Sequence, residues 1–290
     1  VLGWLACQLR TFLKGSFPNS NPTMAGVMVA LPSAAPLCQR VRVAVVGAGV
    51  VGLSIAYVLK RKFPKVEVDI IAAGFLEETT SFGAGGLWEP YNLGHTPEED
   101  ILKYGACTFR HLMDIFHSKE REEAGVSLVS AHQLFKDGEW DGSPPFWSNA
   151  VLDYRPLDIA GSLLSDDELT VIPEDYKDLQ GFSFTTLVAD QSRYLPWMHS
   201  QLSRMGGVTF TARRLDLLSQ LDYKGYAAVV NCSGLGAQEL VGDQDMEPIR
   251  GQVLRVCAPA IKDCYFFGPS YLIPNVDCVV VGGTAQRGNY

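Results

Sequence analysis

The 290-residue sequence lacks the features that mark several large classes of protein. It contains no apolar run as long as the roughly 18 residues of a membrane-spanning helix. Its seven cysteines are scattered, with no C-x-x-C pair, so neither a disulfide framework nor a zinc or redox motif is indicated, and a reducing compartment is expected. A net charge of −8 argues against nucleic acid as a partner.

Acidic residues are missing from the first part of the chain, because Glu67 is the first of them. Residues 1–40 carry three charges, all basic, among serine, proline and alanine. This composition resembles an organellar transit peptide. The alternative is a non-native extension, because the chain begins on Val1 and Met24 offers another start. On either interpretation, residues 1–40 are excluded from the predicted fold.

The most informative motif is VAVVGAGVVGLSIAYVL, residues 43–59. Its valine-rich start indicates a strand covered on both faces, and its apolar end indicates a helix. Between them, Gly47, Gly49 and Gly52 give the spacing G-x-G-x-x-G. These glycines permit a sharp turn, a close approach to a pyrophosphate and tight packing of the helix on the strand. The motif predicts a dinucleotide site, and a tight turn without a ligand is the alternative.

The remaining pattern predicts a doubly wound parallel sheet beside a mixed α+β domain. A second strand is predicted over 66–72, but Ala73 and its neighbours stand where an acid usually holds the ribose, so Glu77 and Glu78 are the nearest substitutes. An acidic, exposed stretch is predicted over 161–180. The other predicted helices are 97–117 and 194–205, and the other predicted strands are 126–129, 208–210, 227–231, 251–256, 271–273 and 279–281.

Several blocks in a fixed order resemble the D-amino-acid oxidase and D-aspartate oxidase family of flavoproteins. The blocks are VAVVGAGVVGLS (43–54), GGLWEPY (85–91), GVSLVSAHQLF (125–135), YLPW (194–197), VVNCSGLGA (229–237), RGQVL (250–254) and YLIP…VVGGT (271–284). The resemblance implies an α/β fold in which a Rossmann-like FAD-binding domain, 41–92 and 181–245, is interleaved with an α+β substrate domain on a mixed sheet, 93–180 and 246–290.

The resemblance also implies the activity. Members of the family bind FAD and oxidise the Cα–N bond of a D-amino acid by hydride transfer from Cα to flavin N5. Dioxygen is then reduced to hydrogen peroxide, and the imino acid hydrolyses to a 2-oxo acid and ammonia. The flavin performs the chemistry, so we assign no catalytic side chain and no metal site, and we interpret the five dispersed histidines as surface or packing residues. The family further implies a peroxisomal location, and the alternatives are an organelle reached through the N-terminal extension or the cytoplasm. A homodimer is the expected assembly.

The residues that the resemblance assigns to the cofactor lie in the glycine turn and in five later segments. They are Gly47, Gly49, Val50, Val51, Gly52, Ala73, Thr79, Thr80, Gly86, Leu87, Leu215 and Ser233.

Two residues are assigned to the substrate. Tyr271 matches the tyrosine whose hydroxyl helps to hold the substrate carboxylate. Glu89 stands where some members have a glutamine at the pocket wall; an acid there favours a basic or amine-bearing substrate, and the alternative is an acid with a structural partner. Phe267 stands at the position where the D-amino-acid oxidase branch has an aromatic residue on a mobile lid, and the lid segment, 258–268, is shorter here. The short lid favours D-aspartate and the GLWEPY block favours neutral D-amino acids, so both remain open.

Members of the family continue beyond the point where this sequence stops, at Tyr290. Their further residues include a G-x-R-P-x-R stretch for the substrate carboxylate and a G-H-G-x-G-G turn, and the peroxisomal tripeptide is absent here. We therefore expect an incomplete chain that is unstable and inactive by itself. One alternative is a non-catalytic flavin-fold isoform. The other is an NAD-dependent dehydrogenase, which is disfavoured by the loop 79–86 and by the lack of an acid at the ribose-binding position.

Overall fold

A computed structural model describes residues 29–30, 41–136, 138–158, 180–221 and 225–289 of the chain. The chain divides into two compact units, Val1–Ala84 with Gln191–Pro248 and Gly85–Asp190 with Ile249–Tyr290. Among the described residues, no helix combines the length and the apolar character that crossing a membrane requires. Most of the predicted acidic stretch 161–180 lies outside the described residues.

The strands in chain order are β1 (Val29–Ala30), β2 (Arg42–Val46), β3 (Glu67–Ala72), β4 (Val126–Phe135), β5 (Leu152–Asp158), β6 (Gln180–Ala189), β7 (Val208–Ala212), β8 (Ala228–Asn231), β9 (Ile249–Arg250), β10 (Leu254–Val256), β11 (Cys264–Phe267), β12 (Ser270–Pro274), β13 (Val279–Gly282) and β14 (Gln286–Arg287). The α-helices are α1 (Val50–Lys62), α2 (Glu98–Phe116), α3 (Arg121–Ala124), α4 (Gln191–Arg204) and α5 (Ala237–Val241).

The first unit is built on a sheet whose described strands run in the order β1-β8-β2-β3-β7. The strands from β8 to β7 are parallel, and β1 is antiparallel to β8. Because helices cover parallel sheets, β2 and β3 are mostly apolar and are buried at every position after the first. The predicted doubly wound parallel sheet is confirmed, as are its first helix and the strand at 66–72.

Both faces of this sheet carry apolar packing. The helix α1 contacts α4, and it buries Leu53, Ile55 and Ala56. A separate cluster of buried residues lies on alternating positions of the central strands, and it includes Ala44, Val46 and Val229. The period-2 alternation of a strand puts these residues on one face and the neighbouring positions of the same strands on the other.

A charged group interrupts the apolar packing at the amino end of this sheet. Asp69 accepts hydrogen bonds from Thr209 and from the guanidinium of Arg42, and Arg42 also lies 4.9 Å from the ring of Tyr226. A hollow of about 430 Å³ opens beside this group and is lined also by Arg213. The glycine turn does not line it.

The second unit contains a mixed sheet with the described strand order β10-β13-β12-β11-β4-β6-β5. Its described neighbours are antiparallel except for β4 and β11, which are parallel. A core of aromatic rings includes Phe182, Phe184 and Trp147, with the rings of Trp147 and Phe184 5.0 Å apart. The predicted mixed α+β domain is confirmed, and the helix predicted at 97–117 is α2.

One histidine is deeply buried in this unit. His132 on β4 places Nε2 3.3 Å from a carboxylate oxygen of Asp263, and its ring stacks on Tyr265 at 5.2 Å. The contacts place His132 in the packing of the sheet, as the dispersed pattern of histidines predicted.

The structure differs from the predicted organisation at two points. Residues 180–189 were assigned mostly to the FAD-binding part, but they form β6, which pairs along its length with β4 and therefore belongs to the second unit. Residues 85–92 also fall in that unit. Phe267 was placed on a mobile lid, yet it is buried in β11, where it pairs with Leu134 of β4. Backbone pairing on both sides of β11 holds this residue in the sheet.

Candidate functional site

The glycine turn follows β2 and is held by the strands on either side. Gly47 has φ +110°, and its N–H donates to the carbonyl of Ile71 at 2.8 Å. A Cβ at this position would lie 2.2 Å from the carbonyl oxygen of Cys232, which follows β8. A side chain at this position would therefore meet both a left-handed backbone and a neighbouring carbonyl.

The other two glycines bring the helix close to the turn. A Cβ on Gly52 would lie 1.9 Å from the carbonyl oxygen of Gly47. Gly49 is the N-cap of α1, and a Cβ there would lie 2.9 Å from Oγ of Ser81. The N–H of Val50 donates to this Oγ at 3.0 Å. The sequence therefore specifies a helix start that sits directly on the end of β2.

The N-terminus of α1 is suited to an anion. Its first turn contains no acidic residue and Gly49 provides no side-chain cap, whereas three basic residues occupy the last turn. The first intrahelical bond that the turn makes runs from Leu53 N–H to Gly49 C=O, so the N–H groups of Val51 and Gly52 precede it. These donors and the positive end of the helix dipole match the chemistry of a diphosphate.

The site lies at the carboxyl ends of the parallel strands. Chain order leads from β2 to β3 on one side, whereas β8 flanks β2 on the other side, so the order of strands switches at β2. Nucleotides bind in α/β sheets at such switch points. The cradle around Gly47–Gly52 therefore fits the dinucleotide that the sequence predicts.

The segment after β8 adds Ser233 to the same edge. Asn231 accepts hydrogen bonds at Oδ1 from Ser233 N–H at 3.1 Å and from Ser233 Oγ at 2.7 Å. Burial raises the pKa of the Cys232 thiol to about 12, so Cys232 is uncharged near neutral pH. Asn231, Ser233 and the neutral Cys232 therefore add no negative charge beside the helix N-terminus.

The other cofactor residues predicted in this unit are placed less closely together. Thr79 donates from Oγ1 to the carbonyl of Leu76 at 2.7 Å, while Ala73 and Thr80 are exposed. Leu215 packs on the core cluster of the sheet. Ser81, which contacts α1, was not assigned to the cofactor by the sequence, although it belongs to the run of three hydroxyls at 79–81.

The two glutamates considered as ribose ligands differ in their contacts. Glu78 accepts a hydrogen bond from Phe75 N–H at 3.1 Å, so its carboxylate closes the turn after β3. Glu77 is exposed.

Gly86 and Leu87 lie in the second unit, where they extend the sheet. Gly86 has φ +82°, and a Cβ there would lie 2.1 Å from the carbonyl oxygen of Ala189. Ala189 N–H donates to the carbonyl of Gly86 at 2.9 Å, and Leu87 pairs with Val188. Packing inside this unit therefore accounts for the glycine, and its role toward a cofactor stays a prediction.

Glu89 follows this edge and is half-buried. The preceding residue, Trp88, is buried, and its backbone N–H donates to Leu187 O at 2.8 Å. Desolvation raises the pKa of the Glu89 carboxyl to about 7. Within the part of the chain that the structure describes, this carboxyl has neither a hydrogen bond nor an ion pair. The predicted alternative of a paired acid is therefore not supported.

Tyr271 lies on β12 with its ring across the neighbouring strand. A Cβ on Gly282 would lie 2.1 Å from a ring carbon of Tyr271, so the glycine makes room for the ring. Burial, with a smaller contribution from Tyr91, raises the pKa of the Tyr271 hydroxyl. Tyr271 therefore keeps its proton near neutral pH and is available as a hydrogen-bond donor.

Comparison with known proteins gives one family for almost the whole described chain. A family described as "FAD dependent oxidoreductase" matches residues 42–290. D-aspartate oxidase of Homo sapiens is 38% identical over 253 residues, covering 86% of this chain and 70% of that protein. D-amino-acid oxidase of Rubrobacter xylanophilus is 32% identical over 255 residues, covering 86% of this chain and 71% of that protein.

Solved structures agree at the level of the fold. Glycine oxidase from Geobacillus kaustophilus gives a TM-score of 0.63 at 17% identity, over 86% of this chain and 73% of that chain. Iminodiacetate oxidase from Chelativorans sp. BNC1 gives a TM-score of 0.62 at 20% identity, over 84% of this chain and 72% of that chain. At these identities the likeness concerns the fold alone.

Proposed function

Because the chain belongs to the family of FAD-dependent oxidoreductases, we propose that it oxidises D-amino acids with dioxygen. The predicted family, the cofactor FAD and the Rossmann-like fold class are confirmed by the same findings. In the proposed reaction, a D-amino acid, dioxygen and water give a 2-oxo acid, ammonia and hydrogen peroxide. The substrate loses two electrons and two protons, which dioxygen receives as peroxide.

The observation that supports the cofactor within this chain is the helix N-terminus beside the glycine turn. We infer that the N–H groups of Val51 and Gly52 bind the diphosphate of FAD, with Ser233 at the same edge. The first turn of α1 carries no acid that would repel the phosphates. When bound, FAD supplies the capacity to accept a hydride and to pass two electrons to dioxygen.

On the substrate side, we infer that Tyr271 binds the α-carboxylate. Its hydroxyl stays protonated because burial raises its pKa, so it donates a hydrogen bond to an anionic oxygen. The ring is held across Gly282, which fixes the direction of the hydroxyl. A substrate held in this way is oriented before it reacts.

A second candidate function is oxidation restricted to D-aspartate. It is favoured by the 38% identity to the D-aspartate oxidase of Homo sapiens, compared with 32% to the bacterial D-amino-acid oxidase. The two candidates share the cofactor and the reaction, and they differ only in the side chain that the substrate presents.

The test is to incubate the purified protein with FAD, remove free cofactor, and record both the flavin absorption near about 450 nm and peroxide release. The proposed function predicts flavin absorption, and peroxide with D-alanine, D-proline or D-aspartate but not with the L-enantiomers, whereas an incomplete and inactive chain would release no peroxide. Activity on D-aspartate alone would select the second candidate. Flavin absorption without peroxide would favour the non-catalytic isoform, and absence of flavin would contradict the proposal.

Two further properties are proposals that rest on the family alone. We infer a homodimer and a peroxisomal location. Light scattering of the purified protein tests the first, and imaging of a tagged chain beside a peroxisomal marker tests the second. A monomer at micromolar concentration, or a tagged chain spread through the cytosol, would contradict them.

A further inference from the structure

Strand pairing in the mixed sheet brings two distant cysteines to opposite positions. The strands β10 and β13 are antiparallel, and the last residues that pair at one end are Val256 and Val279. One further step in the same register sets Cys257 opposite Cys278. The spacing of the cysteines in the sequence does not reveal this relationship, because the whole hairpin of β11 and β12 lies between them in the chain.

The two cysteines occupy a position at which a disulfide between strands fits. The N–H of Asn275 donates to the carbonyl of Cys278 at 2.7 Å, so the backbone bonding groups of Cys278 point toward β12 and away from β10. Cys257 and Cys278 are therefore opposed as a non-hydrogen-bonded pair, in which the Cα atoms of antiparallel strands lie about 4.5 Å apart. A disulfide requires a Cα separation of roughly 4.4–6.8 Å, so the register brings the cysteines within bonding range.

Both side chains lie on one face of the sheet and are open to a small oxidant. Residues that are opposite each other on antiparallel strands share a face, and Arg255 shares it too because it is two residues from Cys257. Nη1 of Arg255 donates to Sγ of Cys278 at 3.9 Å, so the Cys278 sulfur is directed toward β10. Cys257 is exposed and Cys278 is half-buried. A guanidinium beside a sulfur stabilises a thiolate, which is the form of cysteine that attacks an oxidant.

The other described cysteines are less suited to oxidation as a pair. Burial raises the pKa of the Cys232 thiol to about 12, and it raises the pKa of the Cys264 thiol well above its ordinary value. Both thiols therefore keep their protons near neutral pH. Cys107 lies on the helix α2, outside the two strands. Reaction with an oxidant is thus favoured at the exposed end of β10 and β13.

We propose that Cys257 and Cys278 are a modification site for hydrogen peroxide, which converts the two thiols into a disulfide that ties β10 to β13. The inference goes beyond the proposed oxidase function, although that function would release the oxidant. β10 is the end strand of the described order and pairs with β13 through only three residues, Leu254–Val256. A covalent bond at its end therefore holds the strand in place. In a reducing compartment the bond is reversible.

The oxidation takes place in two steps. The Cys278 thiolate attacks one oxygen of hydrogen peroxide, so an S–O bond forms, the O–O bond breaks and hydroxide leaves. The Cys257 thiolate then attacks the sulfenic sulfur, so the S–S bond forms, the S–O bond breaks and a second hydroxide leaves. The two hydroxides take up the protons that the two thiols released. Overall, the thiols lose two electrons and one peroxide becomes two molecules of water.

The experiment adds hydrogen peroxide to the purified, reduced protein with no amino acid present. Remaining thiols are alkylated, and a protease that cuts before aspartate digests the chain. Cuts at Asp263 and Asp277 separate three cysteines into three peptides, those of Cys257, Cys264 and Cys278. Mass spectrometry then shows which peptides are joined. A non-reducing gel distinguishes a bond within one chain from a bond between two copies.

We expect the peptides of Cys257 and Cys278 to be joined within one chain, and dithiothreitol to release them. Oxidation should raise the Tm by about 5 °C or more, as for a disulfide that closes a loop of this length. Cys257→Ser and Cys278→Ser should each abolish the joined peptide and the rise in Tm. The matched control Cys107→Ser, which removes a thiol from α2, should keep both.

Recovery of Cys257 and Cys278 as alkylated thiols after peroxide, or a bond from Cys257 to Cys264 in place of Cys278, would overturn the inference. A joined peptide with an unchanged Tm would show that the bond does not hold β10. The peptide map of the wild type decides the matter even if a variant fails to fold. Absence of peroxide release with every D-amino acid would contradict the oxidase function alone, because the oxidant is supplied here.

Discussion

Gly47 and the carbonyl of Cys232 are in direct contact: a Cβ at Gly47 would lie 2.2 Å from the oxygen. The contact joins the turn after β2 to the end of β8 and places the N-terminus of α1 at the carboxyl edge of the parallel strands. The glycine is therefore required by the packing of the protein itself, and this packing shapes the proposed FAD cradle.

Gly47→Ala tests that contact. The substitution meets a carbonyl and a φ of +110°, so we expect a loss of stability of roughly 2 kcal/mol or more together with loss of flavin binding. The control is Gly83→Ala, where an added Cβ would meet nothing within 4 Å. The measurement is thermal unfolding with flavin absorption. Equal behaviour of the two variants would contradict the packing argument.

Ser81→Ala tests the contact between the hydroxyl run and α1. Ser81 Oγ accepts the N–H of Val50 at 3.0 Å, which satisfies one free donor of the first turn. We expect the free energy of unfolding to fall by about 1 kcal/mol, which is similar to the effect of removing a helix N-cap side chain. Ser219→Ala, at an exposed position, is the control for serine removal. Chemical denaturation measures both, and a loss below that of the control would show that the contact is unimportant.

How much of this site could be read from the sequence depends on the separation of its parts. The strand, the glycine turn and α1 are contiguous, so local pattern was sufficient for them. The partner of Gly47 is Cys232, far along the chain, and only the folded sheet shows that their backbones touch. Ser81 was missed for the same reason, because three neighbouring hydroxyls look alike until one of them meets the helix.

The second unit was harder to predict because its sheet depends on distant pairing. β5 and β6 are far apart in the sequence, and they are defined by their register with each other and, for β6, with β4. β11 lies parallel to β4, more than 100 residues away in sequence, and so Phe267 was assigned to a lid. The lack of a partner for Glu89 could not be predicted either. Every basic residue in the sequence is a candidate partner for this carboxylate until the fold shows which residues lie near it.

Asp69→Asn tests the polar group of the first unit. Burial favours the neutral acid, but hydrogen bonds from Thr209, Tyr226 and Arg42 outweigh it and lower the pKa of Asp69. An acid whose pKa is lowered by folding stabilises the protein above its ordinary pKa, and this contribution is lost as the pH falls through the lowered value. We expect the substitution to lower the free energy of unfolding by on the order of 2 kcal/mol at pH 7, and by progressively less below about pH 4.

Thermal unfolding of Asp69→Asn and the wild type between pH 3 and pH 7 checks this expectation. The exposed Asp216→Asn is the matched control, since its side chain is largely in solvent. A destabilisation by Asp69→Asn that is as large at pH 3 as at pH 7 would contradict the assignment of the effect to the ionised carboxylate.

Glu89→Gln should have the opposite effect to Asp69→Asn: relative to the wild type, this variant should become more stable as the pH rises. Desolvation raises the pKa of Glu89 from its ordinary value of 4.5 to about 7, so the folded protein holds a proton that the unfolded chain releases between these values. The free energy of unfolding of the wild type therefore falls as the pH rises through this range. We expect the free energy of unfolding of the variant, relative to that of the wild type, to rise by on the order of 2 kcal/mol between pH 4 and pH 8.

Chemical denaturation of the wild type, Glu89→Gln and the exposed Glu122→Gln at pH 4, 6 and 8 measures this difference. A constant difference between Glu89→Gln and the wild type across the series would show that the carboxyl is not desolvated in the folded protein.

The most direct test of the whole account is peroxide release by the flavin-loaded protein with a D-amino acid and with its L-enantiomer. Alanine, proline and aspartate in both configurations are the appropriate substrates. The account predicts peroxide with the D-enantiomers, in an amount equal to the ammonia formed, and none with the L-enantiomers. Bound flavin with no peroxide from any D-amino acid, or equal rates with both enantiomers, would contradict it.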